Sequence, residues 1–242
     1  MDDRPDAFPE RIAIKPAIAT IGEPDHLTKF DAILPTRKPP KPKVVMGEDP
    51  ALSKMSDAPT LLEFFEKRIH PHTVNHLLQS ATLALKSGAG EKDVLACLLH
   101  DIALGGLIGS DHGYWGAQLI EPYVDEEVAF AVRYHQALRF FPDASVGYEY
   151  PKSYIELFGE DYQPEPYIRA DYDYARNHKW YGKARLITLN DLYAFDPDAK
   201  VDLQVFSDII GRHFRQPKEG LGFDNSPVAH MWRTMIWPRN FL

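Results

Sequence analysis

The stretch HLLQSATLALKSGAGEKDVLACLLHDIA occupies residues 76–103, with SDHGYWGAQLI following at 110–120 and AVRYHQALR at 131–139. Together they space out His76, the adjacent pair His100-Asp101, His112 and His135 along segments with an otherwise apolar helical pattern. Val94, Leu95, Leu98 and Leu99 lead directly into the His-Asp pair. At such a place a lone carboxylate is costly to bury unless a cation or a hydrogen-bond donor compensates it. Four imidazoles and a carboxylate are more than one tetrahedral zinc uses, and nitrogen-oxygen ligation suits iron, manganese and other first-row metals. These residues therefore point to a two-metal site carried on helices.

Working outward, Thr60-Leu61-Leu62-Glu63 has the form of a capping box and starts a helix expected to run to about Arg68. His70-Pro71-His72 breaks it, because proline turns the preceding residue away from helical geometry. The next helix is expected over about Thr73 to Lys86, with Gln79 and Leu83 on the face of His76. Ser87 to Gly90 form a turn, and Glu91 to Asp101 form the helix that delivers the His-Asp pair. Asp111 is placed to cap the helix of His112, and Gly116-Ala117 to allow close helix approach. Asp125-Glu126-Glu127 put negative charge at the positive end of a helix whose Val128, Val132, His135 and Arg139 share one face. From Phe140 to Tyr181 the chain is rich in Tyr, Phe and Pro without a clean period, which predicts short helices and loops around the bundle. A helix from about Lys183 carries Thr188 and Asp191, and another spans Phe206 to Phe214.

Residues 1–55 hold nine of the twenty prolines and are expected to form an extended arm, leaving residues 56–242 as one domain. The arm contains the basic tract 37–43, RKPPKPK, which reads as a solvated linker or as a motif for an acidic or proline-recognising partner. The net charge of −8 argues against a protein that neutralises many phosphates, so no nucleic-acid partner is expected. The single cysteine, Cys97, lies on an apolar helix face and excludes a disulfide framework within the chain. No signal-like N-terminus and no apolar run of membrane-spanning length is visible. A cytoplasmic protein without a membrane partner is the expectation.

At these residues the chain resembles the HD-domain superfamily, whose members project a His, a His-Asp pair, further His and a distant Asp into a helical bundle. HLLQSA at 76–81, AxLLHDI at 96–102 and HxxxGAxL at 112–119 are similar to the branch of mixed-valent di-iron oxygenases related to 2-amino-1-hydroxyethylphosphonate oxygenase and myo-inositol oxygenase. The resemblance covers roughly residues 60–200. It implies an all-α HD-domain helical bundle with a Pro-rich N-terminal arm. It also implies two iron ions, Fe(II) and Fe(III), with O2 as co-substrate. His76, His100, Asp101 and Asp191 would hold one iron, and His112, His135 and the bridging Asp101 the other. Arg139 matches a position where relatives hold the anionic group of a substrate, so Asp101 and Arg139 are the residues expected to take part most directly.

The implied function is O2-dependent oxidation or oxidative cleavage of a small hydroxylated, acidic organic molecule. The alternative is an HD phosphohydrolase that uses the same six ligands on a phosphate ester or nucleotide. Leu104 and Thr188 stand where anion-handling relatives carry basic side chains, which weighs against the hydrolase. A third possibility, a non-catalytic scaffold working through its arm, fits poorly with an intact ligand set. Residues 51–75 contain no Tyr, although the oxygenase relatives guard their iron with one.

Overall fold

A computed structural model describes residues 51–56, 59–105 and 109–215. The proline-rich arm, but for its last five residues, lies outside the described residues, as do Gly106, His230, Trp232 and Trp237. The described residues all belong to one compact unit, Met46–Leu242.

Among the described residues the architecture is all-α, with nine α-helices, short 3-10 turns and no strand beyond an isolated bridge between Asp143 and Tyr148. In chain order the helices are α1 (Leu61–Arg68), α2 (Pro71–Lys86), α3 (Glu91–Leu99), α4 (His112–Ile120) and α5 (Glu126–Leu138). They are followed by α6 (Lys152–Phe158), α7 (Pro166–Arg176), α8 (Tyr181–Leu192) and α9 (Ser207–His213). No helix among the described residues is long and apolar enough to cross a membrane.

Helix starts follow local chemistry, in places differently from expectation. The Thr60 hydroxyl accepts the Glu63 N–H at 3.2 Å, but the Glu63 carboxylate turns to Ser56 and Lys67, so only half of the capping box forms. Helix α2 begins earlier than expected because Pro71 occupies its first turn, where a missing N–H costs nothing, and His70 caps it by accepting from the His72 N–H. Asp111 does not cap α4 with its side chain. Its backbone is left-handed, at φ 54°, and its carboxylate accepts the Tyr167 hydroxyl.

Helix α5 is buried over more of its surface than the single face expected, with Glu126, Glu127, Arg133 and Gln136 as its less buried positions. Val128 and Val132 join the main core with Leu77, Val94, Leu95, Leu98 and Phe206. Phe130, Tyr134 and Leu138 join a second cluster with Phe141, Tyr172 and Ala184. Helices α3, α4, α7 and α8 pack around α5, and α2 packs on α3 and α8. At one end, Lys92 pairs with Asp125 and Glu127, and Lys183 with Asp93 and Glu127, tying the starts of α3, α5 and α8. Half-buried and still in reach of solvent, such pairs contribute modestly each, but they fix which helix ends lie together.

Candidate metal centre

Five helices deliver six polar side chains to one buried place. α2 supplies His76, the end of α3 supplies His100 and Asp101, α4 supplies His112, α5 supplies His135 and α8 supplies Asp191. All six are buried. They form two groups whose donor atoms lie within 4.8 Å of one another: His76, His100, Asp101 and Asp191, and Asp101, His112 and His135.

The two oxygens of Asp101 divide between these groups. Oδ2 lies 3.6 Å from Nε2 of both His76 and His100. Oδ1 lies 3.2 Å from His112 Nε2 and 3.7 Å from His135 Nε2. Asp191 Oδ1 is 3.1 Å from His76 Nε2 and 3.7 Å from His100 Nε2. Its other oxygen, Oδ2, takes the Arg139 guanidinium at 3.0 Å.

Each imidazole contacts a backbone carbonyl through Nδ1: His76 that of Ala194, His100 that of Cys97, His112 that of Gly109 and His135 that of Val132. A carbonyl can only accept, so every Nδ1 carries the proton and every neutral ring turns the Nε2 lone pair inward. His76 and His100 bring these atoms to 3.2 Å of each other. His112 Nε2, His135 Nε2, Asp101 Oδ1 and Asp191 Oδ1 are buried with no hydrogen-bond partner. Convergent lone pairs and carboxylates of this kind repel unless a cation or proton sits among them. The donor set therefore fits metal ions, with nitrogen and oxygen ligands and no thiolate.

The electrostatics agree. Burial opposes ionisation of Asp101, but His100 beside it and contacts from His112 and His135 outweigh that cost and hold its carboxyl well below the usual range. Burial likewise opposes ionisation of Asp191, and His100, His76 and Arg139 hold it well below that range. Burial would lower His100, yet Asp101 and Asp191 push it up to about 9. His135 goes the other way, to about 4, through burial and the neighbouring His100 and His112, with Asp101 only partly compensating. The negative potential thus gathers positive charge between the two carboxylates.

Arg139, expected to face a substrate, reaches the site by pairing with Asp191, and its guanidinium lies 5.6 Å from the centre of the Tyr154 ring. Thr188 is buried, and its hydroxyl reaches the His135 carbonyl at 3.1 Å and the Ala184 carbonyl at 3.2 Å, so it supports the helix turn of a site residue. Leu104 is exposed. His70 and His72 are exposed away from the cluster, and His213 pairs with Glu91. Sequence reasoning missed the contacts of Ala194, Phe195 and Tyr154 with this centre, since nothing periodic marks those positions.

Gly113 sets how closely α4 approaches α5. A Cβ there would lie 2.8 Å from the Arg133 carbonyl oxygen and 3.0 Å from that of Val132, both backbone atoms that cannot turn away. Gly113→Ala should therefore push His112 off Asp101 and destabilise the fold by about 1–3 kcal/mol, the usual range for overpacking. Denaturant unfolding alongside metal analysis checks this, with loss of the metal at the three-residue group as the expected result.

No family model matches the chain, and no curated protein sequence matches it. Fold and site together define an all-α helical bundle with a buried His/Asp cluster able to hold metal.

Proposed function

We propose that the chain is an HD-domain di-iron oxygenase acting on a small hydroxylated, acidic organic substrate. The observation that carries this reading is Asp101, whose two oxygens face separate pairs of imidazoles as a bridging ligand would. The pattern of positive charge supports oxidation over phosphoryl hydrolysis. Arg139 is the cationic side chain that pairs with the cluster, while Leu104 is exposed and Thr188 is neutral and engaged with backbone. A site that stabilises charge on a transferring phosphoryl group normally adds several basic donors.

Two bound iron ions would supply a Lewis-acidic seat for the substrate hydroxyl and a redox relay through which electrons from the substrate being oxidised reach O2. The chain does the rest. The four Nδ1 contacts hold the imidazoles in one tautomer, and the buried position of His100 and His135 keeps bulk water from that side. Arg139, with a fifth of its side chain accessible, offers a charge-assisted bond to the acidic end of a substrate. Tyr154, whose phenol burial pushes up from its ordinary value, lies beside the Arg139 guanidinium and walls that approach.

The test uses the full chain loaded with Fe(II) without oxygen and then partly oxidised to the Fe(II)/Fe(III) state. O2 uptake with members of a panel of small hydroxy acids, and negligible phosphate release from nucleotides or p-nitrophenyl phosphate, is expected. Efficient phosphate release at a rate indifferent to oxygen would overturn the oxygenase reading in favour of hydrolysis.

A further inference from the structure

The four histidines do not hold their rings in the same way. His100, His112 and His135 each contact the carbonyl three residues earlier in the chain, at 2.7, 3.3 and 2.6 Å. Their own local backbone sets tautomer and direction. His76 instead reaches the Ala194 carbonyl at 2.8 Å, 118 residues further on and beyond the end of α8.

The segment that carries that carbonyl is itself held from α2, two residues further on. Gln79, one turn after His76 and buried, donates its amide to the Asp196 carbonyl and accepts the Asp196 N–H, both at 2.9 Å. Between the two contacts Phe195 lays its ring on the His76 imidazole, with centroids 4.4 Å apart and planes within 19°. Phe195 is 58% exposed, so it adds little to the core, and its ring contact is with His76. The same turn carries Asp191, whose carbonyl accepts the Ala194 N–H, while its Oδ1 faces the opposite edge of the His76 ring. His76 is thus gripped at both nitrogens and on one face by residues 191–195.

We propose that Gln79 and Phe195 are positioning residues for His76. They act through the Ala194 carbonyl, so that the ion held by His76, His100, Asp101 and Asp191 is retained by a latch which the ion at Asp101, His112 and His135 lacks. The inference rests on the reading that the two groups hold metal ions, and it adds an asymmetry between them. Outer hydrogen-bond partners of metal-binding histidines typically change affinity about ten- to a hundredfold when removed.

The test has two arms, on the full chain. In the metal-free protein, nitrogen-15 NMR of the imidazoles reads the tautomer. His76 should be protonated at Nδ1 in the parent protein and become a mixture in Gln79→Leu, while His112 and His135 keep their pattern. In the Fe(II)-loaded protein, transfer of iron to an excess of chelator should show two phases. Gln79→Leu and Phe195→Ala should each speed one phase about tenfold or more and leave the other unchanged. Phe195→Tyr, which keeps the stacked ring, should restore the parent rate. An unchanged His76 tautomer in Gln79→Leu, or equal acceleration of both phases, would overturn the latch. A parent protein that binds no iron would instead refute the metal reading, while the tautomer arm still judges the positioning of His76.

Discussion

In Asp101→Ala the metal content should fall from two ions per chain to none. Asp101 belongs to both donor groups, and its oxygens are divided between them, so its loss takes one ligand from each. The remaining group at His112 and His135 would keep only two protein donors. By contrast, His112→Ala and Asp191→Ala each remove a ligand from one group and should each leave one ion. Metal analysis of the purified variants separates these cases. Retention of a single tightly held ion in Asp101→Ala would show that the carboxylate serves one site and that the two groups are not bridged.

The second large effect is on stability. Arg185 is 1% exposed and among the largest fully buried side chains, and its hydrogen bonds go to a carbonyl and a hydroxyl. Its Nη1 donates to the Leu138 carbonyl at 2.9 Å, and Nε and Nη2 to the Tyr181 hydroxyl at 3.1 and 3.0 Å. The guanidinium also lies over the rings of Tyr148 and Tyr181. Leu138 ends α5, so Arg185 places positive charge at the negative end of that helix. Tyr148 meanwhile donates to the Arg139 carbonyl in the same turn. Arg185→Ala would open a cavity and remove three hydrogen bonds, leaving the Leu138 carbonyl with the Phe141 N–H alone and the Tyr181 hydroxyl with Asp143, at a cost of about 3–5 kcal/mol. Out of the roughly 5–15 kcal/mol that holds a typical domain together, this is a large share. Urea unfolding should show a lower midpoint for Arg185→Ala than for Arg185→Met, which keeps most of the volume. A change below about 1 kcal/mol in the alanine variant would mean that the buried cation costs as much as its contacts return.

Much of the fold was legible because its helices carry a strong apolar period. The run through Val94, Leu95, Leu98 and Leu99 is buried, and Val128, Val132 and His135 share the inward face of α5 as read. Boundaries were less legible where a side chain had a better partner than the expected one. Glu63 prefers Ser56 and Lys67 to its own cap, and Asp111 takes the Tyr167 hydroxyl.

The convergence of the four histidines and Asp101 followed from their residue types and spacing, whereas Asp191 rested on resemblance alone. Helix α8 hides its inward face from pattern reading because Arg185, Thr188 and Asp191 are buried alongside Ala184 and Ile187. Polarity therefore does not mark its solvent side. The Gln79–Asp196 and His76–Ala194 contacts join residues 117 and 118 apart, and only the folded chain reveals them.

The central claim is a two-metal centre built on six residues, and metal stoichiometry with Mössbauer spectroscopy tests it most directly. Protein purified without oxygen and loaded with iron-57 should hold two ions per chain. Partial oxidation should then give distinct Fe(II) and Fe(III) signals that couple to each other through a shared ligand. One ion per chain, or two that stay magnetically independent, would contradict a centre bridged by Asp101.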